Sequence, residues 1–274
     1  MLIRVGFDIS FHFPAPTAMV FMLYLHPSRQ SSVRQPERLT IDPQVPITEF
    51  HDGFGNRCGR VFVPAGNVKL HGEAVVEDHG RPEQQLWDIQ QWNVQDLPHE
   101  VLPYLYASRY CEVDSELKNT AWAMFGQMLT GWLRVQAICN FVHQHIRFDY
   151  QQARANRTAL EVYRERAGVC RDYTHLAIAF CRSLNIPARY CTGYLGDIGV
   201  PTSAQPMDFS AWFEAYLGGE WYAFDARNNL PRVGRVLMAR GRDAADVALT
   251  TIFGLNTLTS FQVITQELPV GVSV

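Results

Sequence analysis

Apolar and polar positions alternate through the first part of the chain. Runs with a period of two fall at Leu2–Phe13, Met19–Leu25, Leu39–Asp42, Ile47–His51 and Arg60–Val63. This is the spacing of half-buried strands, whose side chains point alternately to opposite faces of a sheet. Turn-rich pieces separate the runs, among them HDGFGN at residues 51 to 56 and PAGN at 64 to 67, where glycines can take up positive φ. The pattern predicts a small antiparallel β-sandwich over residues 1–97, and HDGFGN reads as a hairpin turn without chemistry of its own. A polar stretch around Glu77–Gln85 and the prolines Pro98 and Pro103 disfavour further strand pairing, which places the start of a second domain, residues 98–274, there.

The period then changes. From Thr120 to His145, Trp122, Phe125, Met128, Leu129, Trp132, Leu133, Ile138, Phe141 and Val142 recur every three to four positions, predicting helix, with Gly126 and Gly131 dividing it in two. Ala159–Glu165 predicts a short helix. Cys170 to Leu184 predicts a buried one that stops before Asn185-Ile186-Pro187. Strands are expected at Ala188–Tyr194, Ala211–Leu217 and Trp221–Asp225, the last two joined by a hairpin at Gly218-Gly219. The expected fold class is α+β, with helices packed on an antiparallel sheet following the N-terminal sandwich.

Composition narrows the function classes. With 274 residues, 47% of them hydrophobic, the chain can bury the cores of two unequal domains. Its 24 basic and 27 acidic residues nearly balance, and without a Lys/Arg block to track a phosphate backbone, nucleic acid is not an expected partner. No apolar run reaches the roughly 18 to 20 residues that cross a bilayer, so no membrane association is expected. The N-terminal MLIRVGFDISFHFPAP alternates where a secretory signal would be continuously apolar. The six cysteines have no paired short spacing and read as free thiols, which points to a reducing, cytoplasmic setting. Neither an H-E-x-x-H nor a C-x-x-C pattern is present, so no metal or cofactor is expected.

The candidate chemistry lies between Gly168 and Asp225. A glycine two residues before Cys170 lets the chain turn into a helix, setting the thiol near a helix N-terminus. Unpaired amides and the macrodipole there favour the thiolate and could stabilise an oxyanion. Gly168-Val169-Cys170, Asn185-Ile186-Pro187-Ala188-Arg189, Ala211-Trp212 and Trp221-Tyr222-Ala223-Phe224-Asp225 together resemble the core motif of the transglutaminase-like cysteine hydrolase superfamily, and more narrowly its bacterial members with a β-rich N-terminal region. The resemblance implies a papain-like core in which cysteine attacks an amide carbonyl, histidine moves the protons and aspartate orients the imidazole.

Cys170 and Asp225 match the first and third roles. The second falls on Ser210, a departure from the family's pattern, because a hydroxyl cannot accept a proton at neutral pH as an imidazole does. Two readings follow. In one, the chain is a hydrolase or transamidase acting on peptide or isopeptide-type amides through a Cys170 acyl-thioester, with turnover impaired by Ser210. In the other, it is a pseudoenzyme that binds peptide or protein in a retained cleft.

His175 is a poor substitute base, since five residues along a helix turn it about 140° away from the thiol. His143 and His145 precede the cysteine on another helix, and spacing alone does not bring them to the cleft. Tyr150 reads as a core tyrosine more readily than as a hydroxyl donor to substrate, and Trp212 as sheet packing. Arg171 and Asp172 could line the cleft or cap the helix. The Gly196–Met207 loop is the expected seat of specificity.

Overall fold

A computed structural model describes residues 1–203 and 206–269 of the chain. Six strands come first: β1 (Leu2–Phe13), β2 (Thr17–Phe21), β3 (Val33–Asp42), β4 (Thr48–His51), β5 (Arg57–Val63) and β6 (Gly66–Glu77). A long connection with short 3-10 turns leads to α1 (Glu116–Phe125) and α2 (Trp132–His145). Then come β7 (Arg147–Phe148), α3 (Ala159–Glu165), β8 (Ala167–Gly168), α4 (Cys170–Ser183), β9 (Ala188–Tyr194), β10 (Ser210–Leu217), β11 (Glu220–Phe224) and β12 (Val236–Gly241). β13 (Thr250–Ile252) and β14 (Thr257–Leu268) end the described chain.

The first strands form two antiparallel sheets, ordered β14-β1-β6-β3 and β13-β2-β5-β4. Alternation along β1 turns Ile3, Val5, Phe7, Ile9, Phe11 and Phe13 inward, and they meet Phe21, Val61, Val63 and Leu70 in one apolar core. The chain's last strands complete both sheets. β14 runs antiparallel to β1, with Val5 opposite Thr265 and Phe7 opposite Val263, and β13 pairs with β2. Thr250–Leu268 thus returns to the sandwich after the core strands.

The second layer system is a sheet ordered β11-β10-β9-β12, with α4 against one face. α4 is buried along nearly its whole length, and the polar residues it encloses are held by partners, Asp172 by Arg157 and Arg182 by the Ala188 carbonyl. Its Leu176, Ala177, Ile178, Ala179 and Phe180 are all at 0% exposure, packed with residues of α1, α2, α3, β9 and β10. Phe180 alone meets Phe125, Phe141 and Tyr163 edge-on. The architecture is α+β. All six cysteines are free, including Cys181 and Cys191. Among the described residues, no helix is long and apolar enough to cross a membrane.

HDGFGN does more than turn the chain. Asp52 accepts the backbone N–H groups of Phe54 and Asn56, and the buried Asn56 side chain donates to the Arg240 carbonyl and accepts the Arg240 N–H at 2.8 and 2.9 Å. The loop thus pins the sandwich to β12.

Candidate active site

The approach to α4 is a two-strand parallel pairing, with Arg147 opposite Ala167 and Phe148 opposite Gly168. The Asp149 N–H continues it by donating to the Gly168 carbonyl at 2.9 Å, which holds Tyr150 beside the start of α4. Gly168 is needed here for close approach: a Cβ would lie 2.3 Å from Asp172 Oδ2. That carboxylate caps the helix, accepting the Val169 N–H at 2.8 Å. Fully buried, it pairs with Arg157 at 3.1 Å and Arg171 at 3.3 Å. Asp172 therefore caps the helix and does not line the cleft, and Cys170 becomes the first residue of α4.

Cys170 opens into a cavity of about 150 Å³ that it shares with Ser210, Tyr150, Asp208, Arg227 and Asn228. The structure thus brings two of the three expected site residues together. The residue as a whole is half-buried, but its sulfur is desolvated, and burial pushes the thiol up to about 11. The Ala211 backbone N–H on the sulfur works against this, and the nearby Asp208 carboxylate adds to it. The thiolate expected from the helix start is not the resting form. A helix terminus stabilises an anion by at most about 2 kcal/mol, whereas burial can move a pKa by roughly 3 to 5 units.

Asp225 sits just past β11 and faces a different set of partners. Its Oδ1 accepts the Arg227 and Asn228 N–H groups at 3.0 and 2.9 Å, fixing the turn that follows the strand. Its Oδ2 accepts the Asn228 side-chain amide at 2.8 Å and the Arg235 guanidinium at 3.2 Å. Both members of that ion pair are buried, with side-chain exposures of 3% and 7%. Both carboxylate oxygens are therefore engaged, one of them by an arginine.

Among the described residues, no histidine lines the Cys170 cavity. His175 is buried between Tyr110 and Tyr190, and its Nε2 accepts the Ala244 N–H at 3.2 Å. His143 meets the turn after Asp225, with Nδ1 2.8 Å from the Arg227 carbonyl, and His145 stacks on Tyr163. Trp212 is buried under the Arg235 guanidinium, 4.7 Å away, so it packs the sheet. Tyr150, which the sequence favours as a core residue, is 43% exposed at the cavity rim.

Asp208 and Arg227 are cavity residues that the sequence reading passed over. Each lies two positions from a motif residue, Ser210 or Asp225, and that proximity was the available signal. Burial pushes the Asp208 carboxyl up from its ordinary value. Arg227 lies over the Phe148 ring at 4.2 Å. From the Gly196–Met207 loop, Asp197, Thr202, Ser203, Pro206 and Met207 form one wall; residues 204 and 205 lie outside the described residues.

A cysteine at the start of a buried helix, against an antiparallel sheet whose edge hairpin ends in aspartate, defines a thiol-hydrolase scaffold of the papain-like type. The chain belongs to the transglutaminase-like superfamily, whose family model matches residues 120–226. The crystal structure of a candidate cysteine protease from Cytophaga hutchinsonii superposes with a TM-score of 0.85 at 32% identity, covering 100% of this chain and 92% of that one. An uncharacterized protein of Mycobacterium leprae, ML0607, is 34% identical over 95 residues, 33% of either chain. Rv2569c of Mycobacterium tuberculosis, also uncharacterized, is 34% identical over 96 residues. The match thus spans about a third of the length of these curated relatives.

Proposed function

We propose that the chain is a thiol-dependent hydrolase or acyltransferase for peptide or isopeptide-type amides, with Cys170 as nucleophile and no resident imidazole. The observation carrying this reading is selective: of six free cysteines, five are buried, and Cys170 is the one left partly exposed, on the 150 Å³ cavity at a helix start with the Ala211 N–H on its sulfur. In the reaction the sulfur bonds to the amide carbonyl carbon, the thiol proton leaves to solvent, and the amine departs with a proton taken from solvent. Water or a second amine then releases the acyl group from Cys170. The amides at the start of α4 and of Ala211 are the donors available to the transient oxyanion.

A base in the right place is typically worth about 10² to 10⁴ in rate, so turnover is slow. A second reading, in which the cleft binds an extended peptide without cleaving it, draws support from the Asp225–Arg235 pair and the un-ionised thiol.

The test is acylation by an activated ester, followed by mass spectrometry of the Cys170 peptide, and amide hydrolysis by Ser210→His with and without Cys170→Ala. An acyl adduct on Cys170, and a gain in hydrolysis that needs Cys170, are expected. No adduct together with no Cys170-dependent gain would leave the binding-only reading.

A further inference from the structure

The opposite face of the core sheet, away from α4, holds a second cavity of about 310 Å³ where the core meets the sandwich. Four arginines line it, Arg29, Arg81, Arg232 and Arg235, and Trp212 forms part of its wall. Three of these arginines carry a buried nitrogen without any hydrogen-bond partner: Arg29 Nε, Arg232 Nε and Arg235 Nη1. Arg235 donates Nε to Glu83 at 2.6 Å and Nη2 to Asp225 at 3.2 Å, which leaves Nη1 buried over Trp212 with nothing to bond. Its side chain is only 7% exposed. Arg29 forms no ion pair among the described residues, and burial pushes its pKa down.

Two of these arginines have carboxylate partners, Arg235 in Glu83 and Asp225 and Arg232 in Asp197 at 3.6 Å, whereas Arg81, like Arg29, forms no ion pair among the described residues. Glu83 is committed to Arg235, and Glu214 to Arg189 at 2.5 Å. Asp78 caps its own turn, accepting the Gly80 N–H at 2.8 Å. Arg29 and Arg81 are thus left with Asp78 as the one wall carboxylate not held by another arginine. An unpaired buried donor destabilises the fold, more so when it is charged. An oxyanion relieves this directly, because a guanidinium offers its N–H groups in a planar fork that matches carboxylate or phosphate oxygens.

We infer that this cavity is a binding site for a small molecule bearing a carboxylate or phosphate group, held between Arg29 and Arg235 beside the Trp212 ring. The site is independent of the chemistry at Cys170. Two residues connect it to the first site: Arg235 also holds Asp225, and Arg232 lines both cavities.

The test is calorimetric titration of the full chain with inorganic phosphate and, separately, with malonate, both in chloride buffer, alongside the thermal unfolding midpoint. Saturable one-site binding of at least one probe is expected, with a raised midpoint. Binding confined to phosphate or to malonate identifies which oxyanion the site takes. Arg29→Gln, at the end of a surface turn, should weaken binding at least about tenfold, the loss of one charge-assisted contact. Cys170→Ala should bind like the unaltered chain. Arg235→Gln is the less informative variant because it also unpairs Asp225. Absence of saturable binding by both probes, or binding that survives both Arg29→Gln and Arg29→Met, would overturn the assignment.

Discussion

Alkylation of Cys170 across pH gives the most direct measure of its electrostatic setting. Burial places the thiol at about 11, despite the Ala211 N–H and the helix start. An unperturbed thiol near pKa 8.5 is roughly one-tenth ionised at about pH 7.5, whereas one at 11 is ionised in about one molecule in 3,000, a deficit of about 300-fold. A more basic thiolate is intrinsically the better nucleophile, and a Brønsted slope of about 0.4 to 0.5 returns roughly tenfold of that loss. The net expectation is an alkylation rate about 20-fold to 30-fold below that of a free thiol at neutral pH.

The assay is iodoacetamide modification over a series of pH values, quantified on the Cys170-containing peptide, with circular dichroism recorded at each pH to show that the fold persists. Steric shielding in the cavity slows the reaction at every pH but does not move the midpoint, so the midpoint is the quantity that decides. The rate should climb steadily through the neutral range without levelling off. A plateau below about pH 8.5 would mean that the helix terminus and Ala211 outweigh desolvation, and the reasoning from burial would fail.

Four further outcomes follow from the same geometry. Asp208→Asn removes a charge that disfavours the thiolate, so Cys170 should alkylate roughly two- to tenfold faster at neutral pH, as expected of a charge worth on the order of 1 kcal/mol. Asp225→Ala takes from the buried Arg235 one of its two carboxylate partners, Glu83 remaining, and leaves the Arg227 and Asn228 N–H groups without their acceptor, so it should destabilise the chain by about 1 to 3 kcal/mol in urea unfolding. Phe180→Ala, at the centre of the helical core, should cost about 3 to 5 kcal/mol by the same measure. Burial lowers His26 to about 4 and His175 well below its ordinary value. Both are therefore neutral in the fold, and the stability they confer is complete above the unfolded value near 6.5. It is lost as pH falls from about 6.5 through 4, so the urea midpoint should drop across that window and drop less in His26→Gln.

Much of this architecture can be read from period alone, and the failures have local causes. β1 and the α1/α2 break at Gly126 and Gly131 follow their patterns, because each buries one face against a single layer. β6 escaped notice although Val68, Leu70, Ala74 and Val76 alternate, because one inward position is Gly72, where the Phe7 ring of the neighbouring strand fills the space a side chain would take. That vacancy has meaning only beside its partner. β14 turns just Val263 and Thr265 into buried positions, and nothing in its own composition says that it pairs with a strand more than 240 residues earlier. At the site, the helix start and the strand-end aspartate were legible as motif positions. The desolvation of Cys170 and the placing of Asp208 were not, since both depend on residues distant in sequence, among them Asp197, Met207 and Phe209, that line the cavity with the thiol.

The pairing of Asp225 with Arg235 bears on what Ser210 means. In a working triad an aspartate is held by its own turn and by an imidazole, and loss of the imidazole leaves a buried carboxylate one partner short. Here Arg235, ten residues further along, donates to Oδ2 while Glu83 takes its Nε, and the carboxylate is satisfied without a ring. An isolated His→Ser change in an otherwise functional site would leave Asp225 waiting for its partner. In this chain the acceptor sites of Asp225 are occupied without a ring. A histidine introduced at 210 would find the Asp225 carboxylate already engaged, and its gain should stay well below the full worth of a general base unless Arg235 is replaced as well. If Ser210→His alone were to reach the rate of Ser210→His/Arg235→Met, the arginine would not be what holds Asp225 out of reach.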